Sequence, residues 1–128
     1  MLTIEKFKDL VIRSGNRETS STPERWEEEN PTLGHCAIVA LLVQELFGGD
    51  LLRASLEGTE FDYARSHYWN LLEDGTEIDL TEDQFLGRRP NLIGEVRSRE
   101  YVLSNEQTRS RYEQFKQSVF SAISAGDK

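Results

Sequence analysis

Residues 34–49 read GHCAIVALLVQELFGG, an apolar run that starts after one glycine and ends in a glycine pair. No polar stripe interrupts this run before Gln44, so the pattern predicts a helix from about His35 to Phe47 that is surrounded by other elements. The glycine pair is typical of a helix end. We therefore expect a central helix on which the rest of the chain packs.

The N-terminal part of the sequence predicts two further helices. Apolar residues at helical spacing indicate an amphipathic helix over residues 2–13, with Gly15 available as a left-handed cap. Thr22 and Pro23 form an N-cap and first-turn pair, which predicts a short helix through about Glu28.

A last helix is predicted at the C-terminal end. Ser104 and Gln107 form a capping-box pattern, and an apolar stripe follows it over residues 105–124. Residues 125–128 are expected to fray. Residues 82–98 carry a proline and two glycines and are expected to be irregular.

Between the predicted helices, the spacing of the apolar residues changes from a helical to a strand-like pattern. Residues 51–56, 66–72 and 76–80 have strand-like patterns, and residues 73–75, Glu-Asp-Gly, are a hairpin signal between the last two. Helices flanking a small antiparallel sheet define the predicted fold class, α+β. The length predicts a single domain over residues 1–128.

Composition narrows the classes of partner. The chain has 37% hydrophobic and 30% charged residues and no apolar run near the roughly 20 residues of a membrane span, so we expect a globular protein with no membrane partner. Its 23 acidic residues outnumber 15 basic ones, which disfavours nucleic acid. The first residues lack the layout of a signal peptide, and a single cysteine fits a reducing compartment. We therefore expect a cytoplasmic protein.

Three residues suggest cysteine chemistry. Cys36 is the only cysteine and opens the central helix, where unpaired N–H groups and a partial positive charge favour a thiolate. His67 lies in an aromatic strand, and Asp79 lies beyond the hairpin signal. A thiol nucleophile needs a nearby base and a group that orients this base. Cys36, His67 and Asp79 are therefore the candidate catalytic residues.

The hairpin register decides whether Asp79 reaches His67. With a two-residue turn, Asn70 faces Asp79, and His67 lies on the opposite face of the sheet. With a three-residue loop over 73–75, Trp69 faces Asp79. His67 and Asp79 then share a face as diagonal neighbours. The apolar pattern fits both registers, and the proposed chemistry favours the second.

A family resemblance rests on GHCA at residues 34–37, HYWN at 67–70, DGTEIDLT at 74–81 and QF at 84–85. Together these motifs resemble an uncharacterised bacterial group of YunG-like proteins, over roughly residues 22–86. More broadly, the arrangement looks like the papain-like and transglutaminase-like cysteine-hydrolase fold. In that fold a helix bearing the cysteine packs on an antiparallel sheet that bears the histidine and an aspartate or asparagine.

The resemblance implies roles for five residues. Cys36 would be the nucleophile, His67 the base and Asp79 the group that orients the base. Papain-like enzymes often place a glutamine six residues before the cysteine as an oxyanion donor, and this chain has Asn30 there. The YunG-like group is expected to carry glutamine directly before the cysteine, where this chain has His35. Asn30 and His35 are therefore alternative oxyanion donors, either one acting with the backbone N–H of Cys36.

Two main functional hypotheses follow. The first is a cysteine-dependent hydrolase or acyltransferase that acts on an amide, ester or thioester, with a peptide or small molecule as acyl substrate and without a cofactor. The second is a catalytically silent binding module that keeps the same fold. A third, based only on small size and acidity, is a partner protein in a defence or toxin operon, which a neighbouring gene for a basic partner would support. No metal is expected, because adjacent side chains such as His35 and Cys36 diverge on a helix and no paired-ligand spacing occurs.

Each candidate also has a purely structural interpretation. A lone cysteine on an apolar helix is usually a packing residue. His67 would then be a core histidine with a backbone partner, and Asp79 would cap a turn. Arg88 and Arg89 are interpreted as solvated, with a clamp for a substrate carboxylate as the alternative. An imidazole placed between the cysteine sulfur and the carboxylate is the geometry that distinguishes an enzyme from a scaffold.

Overall fold

The computed structural model describes residues 2–126 and has the predicted α+β class, with four α-helices and one four-stranded antiparallel sheet in that range. The elements in chain order are α1 (Ile4–Ser14), α2 (Cys36–Phe47), β1 (Asp50–Ser55), β2 (Ser66–Leu71), β3 (Glu77–Ile78), β4 (Glu95–Arg97), α3 (Arg99–Leu103) and α4 (Glu106–Gly126). Short 3-10 turns lie at Asp62–Ala64 and Glu82–Phe85. None of the helices in the described range is long and apolar enough to cross a membrane.

Helix α2 is the centre of the core, as its sequence predicts. Its residues 38–43 are all buried, and the helix packs against β2 and α4. Asn70 of β2 donates a hydrogen bond from Nδ2 to the Ala40 carbonyl at 3.0 Å, which ties the sheet to the helix. Gly48 ends α2 with φ at +81°, a conformation that glycine adopts without strain.

The sheet has the strand order β3-β2-β1-β4, with every neighbouring pair antiparallel. The register of β2 against β3 pairs Asn70 with Ile78. This is the register of the three-residue loop over 73–75, and its continuation sets Trp69 opposite Asp79. The structure therefore selects the alternative in which His67 and Asp79 are diagonal neighbours on one face.

Helix α1 confirms the predicted N-terminal amphipathic helix, although its end differs from the expectation. Thr3 caps the start by accepting a hydrogen bond from the Lys6 N–H at 3.2 Å. Gly15 was expected in a left-handed cap but is extended, with φ at −66°. A glycine is needed there for another reason, because a Cβ would lie 2.1 Å from the Pro31 carbonyl oxygen.

The short helix predicted from Thr22 through Glu28 does not form. The Thr22 carbonyl accepts from the Arg25 N–H at 2.9 Å, which closes a turn that is not continued as a helix. The chain then turns back on itself in an isolated bridge between Glu27 and Asn30. The indole N–H of Trp26 donates to the Pro31 carbonyl at 3.0 Å, a contact with the following loop that the local helix signal does not include.

The segment 82–98, expected to be irregular, contributes strand β4. This three-residue strand pairs with β1, with Val96 opposite Leu52. The preceding Gly94 allows the close approach, because a Cβ there would lie 2.7 Å from the Trp69 ring. A strand this short depends on its partner for its conformation, so the local sequence carries little signal for it.

Helix α4 confirms the predicted C-terminal helix, with a different cap. Asn105 accepts the Thr108 N–H at 2.9 Å through Oδ1, whereas the hydroxyl of Ser104 donates to the Tyr101 carbonyl. The expected capping box is therefore replaced by an asparagine cap. Residues 125 and 126 continue the helix instead of fraying, and residues 127 and 128 lie outside the described range.

Candidate active site

Cys36 is the first residue of α2 and is partly exposed. The first helical hydrogen bond runs from the Val39 N–H to the His35 carbonyl at 2.9 Å. Within residues 2–126, no acceptor takes the backbone N–H groups of residues 36–38. The sulfur therefore lies at a helix N-terminus with unpaired backbone N–H groups, where negative charge is favoured.

His67 lies near the start of β2 and is only 1% exposed. Its ring stacks on Trp69 at 5.6 Å between centroids, and the ring of Phe85 packs edge-on at 4.8 Å. The imidazole therefore packs against two aromatic rings.

The imidazole of His67 interacts with both other members of the predicted constellation. Its Nε2 lies 2.6 Å from Oδ2 of Asp79, and Cys36 lies near enough to affect the pKa of the ring. Burial disfavours the charged ring, but hydrogen bonding to Asp79 and to Cys36 outweighs burial and raises the pKa of His67 to about 9. The structure thus brings Cys36, His67 and Asp79 together around one ring.

The carboxylate of Asp79 is fixed by three residues. Oδ2 also accepts from Arg89 Nε at 2.8 Å, and Oδ1 accepts from the backbone N–H and the hydroxyl of Thr81 at 3.2 and 3.3 Å. Burial opposes ionisation, but the hydrogen bonds and charges of His67 and Arg89 lower the pKa of Asp79. Asp79 therefore stays ionised and also caps the turn that follows it.

Arg89 is a site residue that the sequence interpretation missed. It was interpreted as solvated, yet its side chain is mostly buried, contacts Asp79 and lies 5.0 Å over the Trp69 ring. The neighbouring Arg88 is exposed and pairs with Glu60 on the surface. Two adjacent arginines thus have different environments, which no local pattern distinguishes.

Gln84 connects the loop before the cysteine with the turn after Asp79. Its Oε1 accepts from the Gly34 N–H at 3.4 Å, and its Nε2 donates to the Thr81 hydroxyl at 3.0 Å. The Asn30 side chain donates from Nδ2 to the Gln84 carbonyl at 3.2 Å. Asn30 is therefore part of the framework around the site, and its role as an oxyanion donor stays a prediction.

His35 is a framework residue and not a second reactive histidine. Its Nδ1 lies 3.0 Å from the Leu33 carbonyl, and its Nε2 lies 2.7 Å from the Thr19 hydroxyl. Burial lowers the pKa of His35 to about 4, against the opposing effect of the Leu33 hydrogen bond. With both ring nitrogens engaged, the side chain has no donor left for an oxyanion. The expected oxyanion role of His35 is thus not supported.

A cavity of about 350 Å³ lies at the starts of α2 and β2. Ala37 and Ser66, the chain neighbours of Cys36 and His67, form part of its wall. Arg53, Tyr68 and other polar side chains complete it. Cys36, His67 and Asp79 are not themselves among the residues of this wall.

Fold and site together define an α+β protein with a cysteine, a histidine and an aspartate gathered at the start of its central helix. The model of the YunG protein family matches residues 3–124, so the chain belongs to the YunG family. It is 30% identical over 82 residues to the "Uncharacterized protein YunG" of Bacillus subtilis (strain 168). That match covers 64% of this chain and 63% of the relative, so just under two thirds of the relative's length is spanned. No solved structure matches the chain.

Proposed function

We propose that this YunG-family protein is a cysteine-dependent hydrolase or acyltransferase. Cys36 is the nucleophile, His67 the base and Asp79 the group that orients the base. One observation carries the proposal: a single buried imidazole has Asp79 at 2.6 Å on one nitrogen and interacts with the helix-start cysteine. Neither packing nor turn capping requires this arrangement of all three groups.

The proposed reaction is acyl transfer. The proton of Cys36 is held by His67, and the sulfur attacks the carbonyl carbon of an amide, ester or thioester as a thiolate, forming a C–S bond while the carbonyl oxygen becomes an oxyanion. The unpaired backbone N–H groups of residues 36–38 face the resulting oxyanion. His67 then protonates the leaving amine, alcohol or thiol as its bond to carbon breaks. Water or an amine then attacks the acyl carbon and gives a proton to His67, the C–S bond breaks to release the acid or the new amide, and the thiolate of Cys36 and the protonated His67 are restored.

We also propose that the fold is papain-like or transglutaminase-like. In support, α2 carries Cys36 at its start and packs on an antiparallel sheet, where β2 and the segment after β3 carry His67 and Asp79. A free cysteine nucleophile fits a reducing compartment, and the cytoplasm is therefore the location we propose.

The alternative is a catalytically silent binding module. It is favoured by the hydrogen bonds that Asp79 makes to Thr81 and Arg89, because these bonds stabilise the segment after β3 whether or not a reaction occurs. In that case Cys36 would be a packing residue at the edge of the core.

Alkylation of the single cysteine by iodoacetamide distinguishes the two functions. At pH 6 we expect the folded protein to react at least about tenfold faster than the same chain unfolded in denaturant, because an ordinary thiol is then mostly protonated. His67→Ala should remove this advantage, and Arg88→Ala, an exposed change nearby, should not. Labelling no faster than in the unfolded chain and insensitive to His67→Ala would exclude the enzyme.

Turnover is tested with an activated ester or thioester. The wild type should accumulate an acyl adduct on Cys36, detected by mass spectrometry, or should release the free acid. Cys36→Ala should do neither.

A further inference from the structure

We propose that the cavity walled by Ala37 and Ser66 receives the anionic group of an acyl substrate bound at Cys36, and that Arg53 and Arg111 bind this group. This inference rests on the proposed function and names the substrate class of the same site.

Arg53 projects into the cavity from the middle of the sheet. Along β1 it alternates with Leu52 and Ala54, which pack on the other face, and it therefore lies on the face toward α2. Its strand partners are Tyr68 of β2, which also lines the cavity, and Glu95 of β4, whose carboxylate pairs with Arg97 at 3.8 Å. Among residues 2–126, no carboxylate lies within ion-pair distance of the Arg53 guanidinium.

Arg111 reaches the same region from α4. Its Nη2 donates to the hydroxyl of Thr108, a residue of the cavity wall, at 3.3 Å. Its Nε is buried and has no hydrogen-bond partner in the described part of the chain. Burial lowers the pKa of the Arg111 guanidinium, and the neighbouring Cys36 opposes that effect.

Within residues 2–126, Arg53 and Arg111 have no carboxylate partner, in contrast to neighbouring arginines of the site. Acidic residues outnumber basic ones by 23 to 15, and other arginines near the site, such as Arg89 and Arg99, are ion-paired. A buried guanidinium N–H without a partner costs free energy that a ligand oxygen would recover. The planar guanidinium matches carboxylate and phosphate groups. Both observations favour an anion in the cavity.

Iodoacetate and iodoacetamide provide a matched pair of probes. Both form the same S–CH₂ bond and release iodide, and they differ in a carboxylate against an amide. We measure the ratio of their rates on Cys36, with the unfolded chain as reference, so that general changes in thiol reactivity cancel. The folded protein should show a ratio about tenfold or more above this reference, because the two guanidinium groups attract the carboxylate.

Variants identify the groups responsible. Arg53→Gln and Arg111→Gln should each lower the ratio severalfold, and Arg53→Gln serves alone if the half-buried Arg111 proves necessary for folding. Arg109→Gln, an exposed change on the same helix, should leave the ratio unchanged. A wild-type ratio equal to that of the unfolded chain would overturn the anionic class, even where fast iodoacetamide labelling supports the enzyme.

A binding measurement separates this inference from catalysis. Glutarate, inorganic phosphate and the neutral glutaramide are titrated while the NMR amide signals of Ala37 and Ser66 are followed. Shifts with glutarate support a carboxylate site, and shifts with phosphate alone support a phosphate site. Equal shifts with glutaramide, or none with either anion, contradict the inference. Anion binding without cysteine labelling would support the site and overturn the proposed function.

Discussion

The Nε2 atom of His67 lies 2.6 Å from Oδ2 of Asp79, and both side chains are more than nine-tenths buried. In a buried pair at this distance each partner stabilises the charged form of the other. The chain's second histidine, His35, is equally buried but faces a carbonyl and a hydroxyl. At neutral pH the His67 ring is therefore charged and the His35 ring neutral, although both rings lie near the candidate site.

We predict that NMR titration of the two imidazoles separates them widely. The pKa of His67 is raised to about 9 and that of His35 is lowered to about 4. At pH 7 the His67 ring should be protonated and the His35 ring neutral, with no change in either between about pH 5.5 and 7.5. A His67 ring that titrates near its ordinary value of 6.5 would contradict the charged pair.

Removal of the Asp79 charge should weaken the base. In Asp79→Asn we expect the pKa of His67 to fall and the alkylation rate of Cys36 at pH 6 to drop on the order of tenfold, since an oriented base contributes at least that much. The control is Asp74→Asn, because Asp74 is exposed at the tip of the same hairpin and an asparagine can keep its cap on Thr76. Equal rates in the two variants would show that Asp79 is only structural.

His35 should make stability depend on pH on the acid side. Its pKa is lower in the folded state than the 6.5 expected for the unfolded chain, so the unfolded state binds more protons between pH 6.5 and about 4. Stability is therefore retained above pH 6.5 and lost as the pH falls, by about 3 kcal/mol at pH 4. Urea unfolding of wild type and His35→Gln at pH 7 and pH 4 measures this loss. The variant should lose less stability on acidification, and parallel losses would contradict the neutral buried ring.

The elements that were predictable from the sequence are those whose signal is local. The apolar run of α2 and the apolar stripe of α4 lie within single segments, and both helices form close to their expected bounds. The hairpin between β2 and β3 was predicted, but its register was open between two loops. Packing decided it, because Trp69 and His67 are buried together on one face. The three candidate catalytic residues were named from chemistry and order along the chain.

The features that the sequence did not reveal depend on contacts between distant segments. Arg89 contacts Asp79 only because the irregular segment after β3 folds back over Trp69. The engagement of His35 depends on Thr19, 16 positions earlier, and that of Gln84 on Gly34, 50 positions earlier. Such pairings leave no periodic pattern, so sequence reasoning placed His35 in the site and Arg89 in solvent.

The close approach of Gly15 to Pro31 is another contact between distant segments. At Gly15 the entropy of the unfolded chain and the clash of a new Cβ have opposite effects on stability. Gly15 has φ at −66°, which alanine adopts freely, so the lower entropy of the unfolded chain alone would make Gly15→Ala stabilising by about 0.4–1 kcal/mol. The new Cβ would instead lie 2.1 Å from the Pro31 carbonyl oxygen, a backbone atom in the loop that leads to Cys36.

Relief of that clash requires a shift of α1 or of the loop, and we expect a net loss of about 1–3 kcal/mol in urea unfolding. Gly58→Ala is the comparison, because nothing lies within 4 Å of its Cβ and only the backbone, at φ +83°, is strained. That variant should lose about 1 kcal/mol and should keep the alkylation rate of Cys36. Gly15→Ala should lower this rate as well, because the displaced loop carries the residues before the nucleophile. A Gly15→Ala protein more stable than wild type would mean that the loop yields easily and does not position Cys36.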